Sequence, residues 1–281
     1  MLQVKHIINS HCHIYPEKIA HKAVAAVDHF YEDWLGELSD GTAGTLLRTG
    51  MEAGITHFIV HSVATKPEQV GSINRFIASD TAASEGHFTG LGAMHPDSAD
   101  MEGDIDGLIA LGLKGVKIHP DIQEFRADSK NAMRIFELCE DRGIPILVHT
   151  GDYRYDYSNP NRIVPVLKAF PRLKFIGAHF GGWSIWEEAA AVLSDFPNIC
   201  VDTSSSFCGL TPERAKNLVR LYGSERVMFG TDYPLWPQKD ELAFLERMEL
   251  LPEELENVCW KTCAELFGIS FPEDGQKTVQ A

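Results

Sequence analysis

The chain has no CxxC pair among its six cysteines and no apolar run approaching the ~18 residues of a membrane-spanning helix. It is also short of basic residues, with 25 Lys and Arg against 40 Asp and Glu. Each shortage excludes something. Cys12, Cys139, Cys200, Cys208, Cys259 and Cys263 lack paired spacing, and several fall inside apolar segments, so a disulfide scaffold is not expected and the thiols are read as reduced. The lack of a long apolar run argues against a membrane protein. Met1-Leu2-Gln3-Val4-Lys5-His6 lacks the apolar core of a signal peptide, so the expected location is cytoplasmic. A net charge of −15 offers no basic surface to displace phosphate counterions, which argues against a nucleic-acid partner. A small anionic substrate, held by a few local cations, remains compatible with that charge.

What is present is a rhythm. With 281 residues, 44% of them hydrophobic, the chain can bury a large core. Short apolar strands alternate with polar turns and helical patterns, and eight strands are expected: 4–14, 56–63, 88–95, 113–119, 145–150, 174–179, 199–203 and 227–232. Their near-continuous hydrophobicity suits a parallel sheet buried on both faces. Eight such units close a single α/β domain spanning 1–281, a (β/α)8 TIM barrel.

The helices between them carry their own punctuation. From Thr211 to Gly223, Thr211 suits the cap and Pro212 the first turn. Ala215, Leu218, Val219 and Tyr222 share one face, and Gly223 suits the terminating left-handed position. Residues 128–143 repeat the pattern with Ala132, Ile135, Phe136 and Cys139. Residues 15–54 are too long for a simple crossover and are expected to hold a helical insertion near 18–34 over the barrel mouth, then the first barrel helix near 42–53. A C-terminal helix after Leu251 places Cys259 and Cys263 on its apolar face, and 270–281 reads as a flexible tail.

The first strand ends in Ile8-Asn9-Ser10-His11-Cys12-His13-Ile14. Histidines at i and i+2 point to one side of a strand, within reach of one ion, while Cys12 faces away and is expected to pack. Such a pair is weak evidence alone, since strand histidines are often hydrogen-bonded core residues. A barrel, however, gathers strand ends at one mouth, and His119, His149, His179 and Asp232 end strands four, five, six and eight. Individually each has an ordinary reading, as core histidine, turn histidine or cap. Jointly they point to a shared metal site. Gly177 and Gly230, two residues before His179 and Asp232, leave room beneath them. His61 and His95 end strands two and three and could reach the mouth.

Four motifs, HCH after strand one, VHTG after strand five, AHFGG after strand six and GTDYP after strand eight, resemble those of the amidohydrolase superfamily. Within it the resemblance is to the amidohydrolase-related branch that includes aminocarboxymuconate semialdehyde decarboxylase-like proteins. It covers roughly residues 4–268. The resemblance implies that His11, His13, His149 and Asp232 hold one divalent metal ion, zinc being the expected one, and that Asp232 and His179 are catalytic. Neutral imidazoles and a carboxylate suit such an ion, and an open position would activate water. The expected activity is therefore metal-dependent hydrolysis of a small amide, ester or lactone. A nonoxidative decarboxylase of a small carboxylic acid is the alternative, and a noncatalytic metal- or ligand-binding barrel is the reading from another class.

Lys117 shares a face with His119 on strand four and is read either as a ligand to a second metal or as a structural charge paired with an acid. His119, Arg154 in the loop after strand five, and Trp183 are candidate substrate contacts, with Trp236 a further apolar wall. The expected partner is a small molecule, possibly carboxylate-bearing, and self-association as a homo-oligomer is open.

Overall fold

In the computed structural model, which describes residues 2–32 and 38–271, eight parallel strands and the helices between them alternate along the chain. The strands are β1 (Ile8–His13), β2 (His57–His61), β3 (Phe88–Gly90, resuming after Leu91 as Gly92–Ala93), β4 (Val116–Ile118), β5 (Ile146–Val148), β6 (Phe175–Gly177), β7 (Ile199–Asp202) and β8 (Val227–Met228). Each pairs in parallel with the next. The break at Leu91 lets β3 pair with β2 through its first half and with β4 through its second. The circle is joined by Ser10 N–H donating to Phe229 O at 2.8 Å and His13 N–H to Tyr233 O at 2.7 Å.

All eight expected strands are present, each shorter than its hydrophobic run. The ends of those runs belong to loops that carry the inward-facing polar residues. The expected insertion appears as α1 (Glu17–Phe30), followed by α2 (Ala43–Glu52), whose cap Thr42 accepts from Thr45 N–H. Trp34, placed in the insertion from the sequence, lies outside the described residues, as does 272–281 of the tail.

The outer ring continues with α3 (Val70–Ala83), α4 (Met101–Ala110), α5 (Lys130–Arg142), α6 (Pro160–Ala169), α7 (Trp186–Leu193), α8 (Pro212–Tyr222) and α9 (Gln238–Arg247). In α8 Thr211 caps and Ala215, Leu218, Val219 and Tyr222 are buried as read, but Gly223, at φ 88° and ψ 128°, leaves the helix extended and not in the expected left-handed helical turn. In α5 the cap is Ser129, one residue beyond the expected Asp128, because its hydroxyl accepts from Ala132 N–H.

The C-terminal segment, α10 (Pro252–Glu256) running through a wide turn into α11 (Thr262–Phe267), does more than cover a helix face. Cys263 and Ala264 share one cluster with Ile8, Ile59, Leu91, Leu147, Ile176, Ala178 and Met228, which lie along and between the strands. The segment therefore plugs the bottom of the barrel, where no water can hydrate the interior, and leaves the top to polar chemistry. The six cysteines are free thiols. Among the described residues no helix is long and apolar enough to cross a membrane.

Candidate metal centre and cavity

At the top of the barrel one cavity of about 550 Å³ has His11, His13, Lys117, His119, His149, His179 and Asp232 on its floor. Strand alternation explains the convergence: inward positions at the carboxyl ends of β1, β4, β5, β6 and β8 meet at one mouth. Two of these residues are held in the left-handed region, His179 at φ 60° and Asp232 at φ 61°. That conformation costs about 1–3 kcal/mol for a side chain of this kind, so the surrounding packing must impose it.

Hydrogen bonds fix which imidazole nitrogen carries a lone pair toward the centre. The Nδ1–H of His11 donates to Asp202 Oδ2 at 2.8 Å, the Nε2–H of His149 to Gly151 O at 3.0 Å, and the Nδ1–H of His179 to Ser204 O at 2.7 Å. With these protons assigned from the network, His11 Nε2, His149 Nδ1 and His179 Nε2 are left as acceptors. They face one another and their neighbours at close range. His149 Nδ1 lies 3.0 Å from His179 Nε2, and His11 Nε2 lies 3.3 Å from His13 Nε2. Asp232 Oδ1 is 3.3 Å from both His11 Nε2 and His13 Nε2. Lone pairs and a carboxylate oxygen brought this close form a donor set that a cation would satisfy.

The remaining groups support the same reading. His61, against the rings of His11 and His13, is fully buried with both ring nitrogens unpartnered among the described residues. One nitrogen from each of His11, His13 and His61 falls in a group compact enough to hold a metal ion. Burial, reinforced by the Lys117 charge, lowers His11 to about 4, and burial also lowers His13 and His149. These imidazoles are therefore neutral, the form that ligates. Burial pushes the carboxyls of Asp202 and Asp232 upward, but His11 and neighbouring histidines outweigh it, holding Asp202 at about 2 and Asp232 well below the usual carboxylate range. The donor set fits a divalent cation held by imidazole and carboxylate.

Lys117 is wholly buried, with Nζ 3.2 Å from His11 Nε2, and burial brings it down to about 8. His119 stacks on His149 with ring centres 3.8 Å apart. Its Nδ1 accepts from Ile122 N–H and its Nε2 faces Tyr31 Oη at 3.3 Å, so both nitrogens are engaged. Arg154 and Trp183 do not line the cavity. Arg154 forks onto Asp152, donates to Phe30 O at 2.7 Å and sits among the rings of Phe30, Tyr31, Tyr155 and Trp183. It thereby ties the β5–α6 loop to the end of α1. Trp236 acts from behind the site: its indole N–H donates to Ser205 Oγ, which donates to Asp232 Oδ2 at 2.5 Å. His95 turns away and accepts from Asp97 N–H.

Asp202, Ser204 and Ser205 were missed in the sequence. Asp202 is fully buried and also accepts from the backbone N–H groups of His179 and Ser204, so it orients two candidate site histidines at once. The signal was there: Cys200 and Asp202 alternate inward at the end of β7, as His149 does on β5. Asp202→Asn, which weakens the acceptor that sets the His11 tautomer, is expected to reduce metal affinity about 10–100-fold, measured by competition with a chromogenic chelator.

Gly230 lies under the same residues. A Cβ there would meet His11 Cβ and Ser10 Oγ, both at 3.0 Å. Gly230→Ala should therefore destabilise the fold by about 1–3 kcal/mol and lower metal content, whereas Gly44→Ala, at a position with nothing within 4 Å, should do neither. Thermal unfolding and elemental analysis of the two variants check this.

Asp121, whose Oδ2 lies 3.7 Å from His149 Nε2, is buried, and burial raises it to about 7. The folded chain then keeps this proton while the unfolded chain releases it near ~4, so its contribution to stability declines as pH rises from ~4 through ~7. Asp121→Asn cannot ionise, so its Tm advantage over the parent should grow between pH 5 and pH 8 in the presence of chelator. A pH-independent difference would contradict this.

The fold is a TIM barrel with a candidate metal centre at its mouth, and the comparisons place it. The amidohydrolase family model matches residues 8–269, and the chain belongs to that family. A search among curated proteins finds no match. Solved structures share the fold at low identity. An uncharacterised TIM-barrel protein from Bordetella bronchiseptica is 20% identical with a TM-score of 0.78, covering 94% of this chain and 99% of that one. The 5-carboxyvanillate decarboxylase from Sphingomonas paucimobilis is 18% identical with a TM-score of 0.71, covering 94% and 99%. A dihydroxybenzoic acid decarboxylase from Polaromonas sp. JS666, with bound manganese and the inhibitor 2-nitroresorcinol, is 16% identical with a TM-score of 0.71, covering 94% and 97%. These neighbours overturn the expectation that the chain hydrolyses an amide, ester or lactone. The motifs are common to a whole superfamily and do not single out hydrolysis, whereas several solved structures that share this barrel are decarboxylases.

Proposed function

We propose that the chain is a metal-dependent nonoxidative decarboxylase of a small carboxylic acid. The observation that carries this reading is the cavity floor, where imidazole lone pairs, Asp232 and Lys117 gather all the charge that the described lining offers. His11, His13, His149 and Asp232 would hold one divalent cation, with His179 beside it. When bound, that ion supplies the positive charge that fixes a carboxylate and withdraws electrons from the substrate. Zinc and manganese both suit imidazole with carboxylate, and a bound manganese in a neighbour supports testing both.

Decarboxylation leaves the electron pair of the broken C–C bond on carbon, releases CO2 and needs one proton at that carbon. Asp232 is the carboxyl group on the described cavity wall and would carry the proton taken up from solvent, with Ser205 Oγ donating to its Oδ2. Neighbouring histidines hold this carboxyl well below its ordinary range, so it rests ionised and takes up a proton from solvent before giving it to carbon. Lys117 adds local positive charge beneath the substrate carboxylate, and His179 positions or polarises the group next to it.

The test uses protein loaded with manganese or zinc and a panel of carboxyl-labelled 2-hydroxybenzoate, 2,6-dihydroxybenzoate and 5-carboxyvanillate in deuterium oxide. Labelled CO2 together with one deuterium at the vacated carbon is the expected result. No CO2 from any acid, with water oxygen entering an ester or lactone instead, would defeat the proposal.

A further inference from the structure

The walls above the floor differ from it in kind. Ile19, Ala23, Ala26, Val27 and Phe30 of α1 all line the cavity, and their spacing of i, i+4, i+7, i+8 and i+11 puts them on one helix face. That face is distinct from the Ala20 and Val24 positions that α1 buries against the protein. Ile19 is 50% exposed and Val27 and Phe30 pack only partly against the core, so the stripe keeps apolar surface toward the cavity. Across the cavity, Ile73 and Phe76 of α3 face it. Among the described lining residues the formal charges are Lys117 and Asp232, both on the floor. Arg154, which reaches the end of this wall, is engaged by Asp152 and the Phe30 carbonyl.

We infer that the substrate is a monocarboxylic acid whose body is long and apolar, lying between α1 and α3 with its carboxylate on the floor. This rests on the decarboxylase reading for the role of the floor, and on the stripe for the shape of the ligand. A compact polyhydroxylated ring would leave the α1 stripe wet and find no polar partner along α3 beyond Ser72 and Gln69. An uncharged chain or second ring would cover the stripe, and such covering is what an exposed apolar patch beside a polar site marks.

The probes are 2-hydroxybenzoate and its 4-hexyl homologue, whose alkyl group points away from the carboxylate. Each is titrated calorimetrically into the full-length chain loaded with manganese. The hexyl compound should bind at least ~30-fold more tightly, a conservative share of what burying its methylenes yields. In the double variant Ile19→Glu with Ala23→Glu, at surface positions where folding is not at stake, the ratio should fall below ~5-fold. Phe76→Ala provides a second variant from the opposite wall, with the same direction expected. Equal affinities in the parent, a ratio preserved in both variants, or failure of both probes to bind would overturn the inference. So would dissociation of an oligomer by the α1 variant with the ratio intact, since the stripe would then seat a second copy. CO2 release is scored separately: the expected ratio in the parent, lost in the variants, without turnover counts against the decarboxylase reading alone, and turnover with equal affinities counts against this inference alone.

Discussion

Asp232→Asn is expected to lower kcat/KM for decarboxylation on the order of 10³-fold, the range seen when a positioned acid or base is removed. The geometry gives the amide no good orientation. If its oxygen accepts from Ser205, as Oδ2 does now, its NH2 turns toward His11 Nε2 and His13 Nε2, 3.3 Å away, and occupies the lone pairs meant for a cation. If the amide flips, two donors meet at Ser205. Metal content must therefore be measured alongside turnover. A variant that keeps its metal but loses activity would assign the loss to the proton carried by Asp232, and one that keeps both would remove Asp232 from the reaction.

His11→Ala or His13→Ala should reduce metal affinity at least ~100-fold, more than His179→Ala does. His11 carries the larger load, because its Nδ1 is anchored on the buried carboxylate of Asp202 and its Nε2 meets His13, Asp232 and Lys117. His179 contributes its Nε2 beside His149 from a backbone already held at positive φ, and it can be lost without freeing Asp232 from the first strand. Equilibrium dialysis against manganese and zinc reads the order directly. If His179→Ala loses more metal than His11→Ala, the division between ligand and catalytic neighbour fails.

The barrel was legible in the sequence because parallel strands buried on both faces must be apolar throughout, and because their polar ends then stand out. His11, His13, His149, His179 and Asp232 were found this way, and the cavity gathers all five. Asp202 escaped because an acid near a serine run reads as a turn. Its role depends on a hydrogen bond to His11, 191 residues away. Arg154 and Trp183 were placed near substrate from a loop, where no periodicity sets direction. The structure spends them on Asp152 and on an aromatic cluster under α1. The reaction itself was not legible, since hydrolysis and decarboxylation ask for the same residues at the same strand ends.

The join between β1 and β8, through Ser10 with Phe229 and His13 with Tyr233, sets an order of events during synthesis. The ion's candidate ligands come from both ends of the barrel, His11 and His13 from its first strand and Asp232 from the loop after its last. His11 can meet Asp202 once β7 has been made, but until the final fifth of the chain follows, the early histidines lack Asp232 and the bottom plug at α11 does not exist. Contacts this distant in sequence form slowly, so capture of the cation should be among the last steps of folding and should lock the ring. A chain halted before Asp232 would have two exposed imidazoles and no centre to keep an ion in.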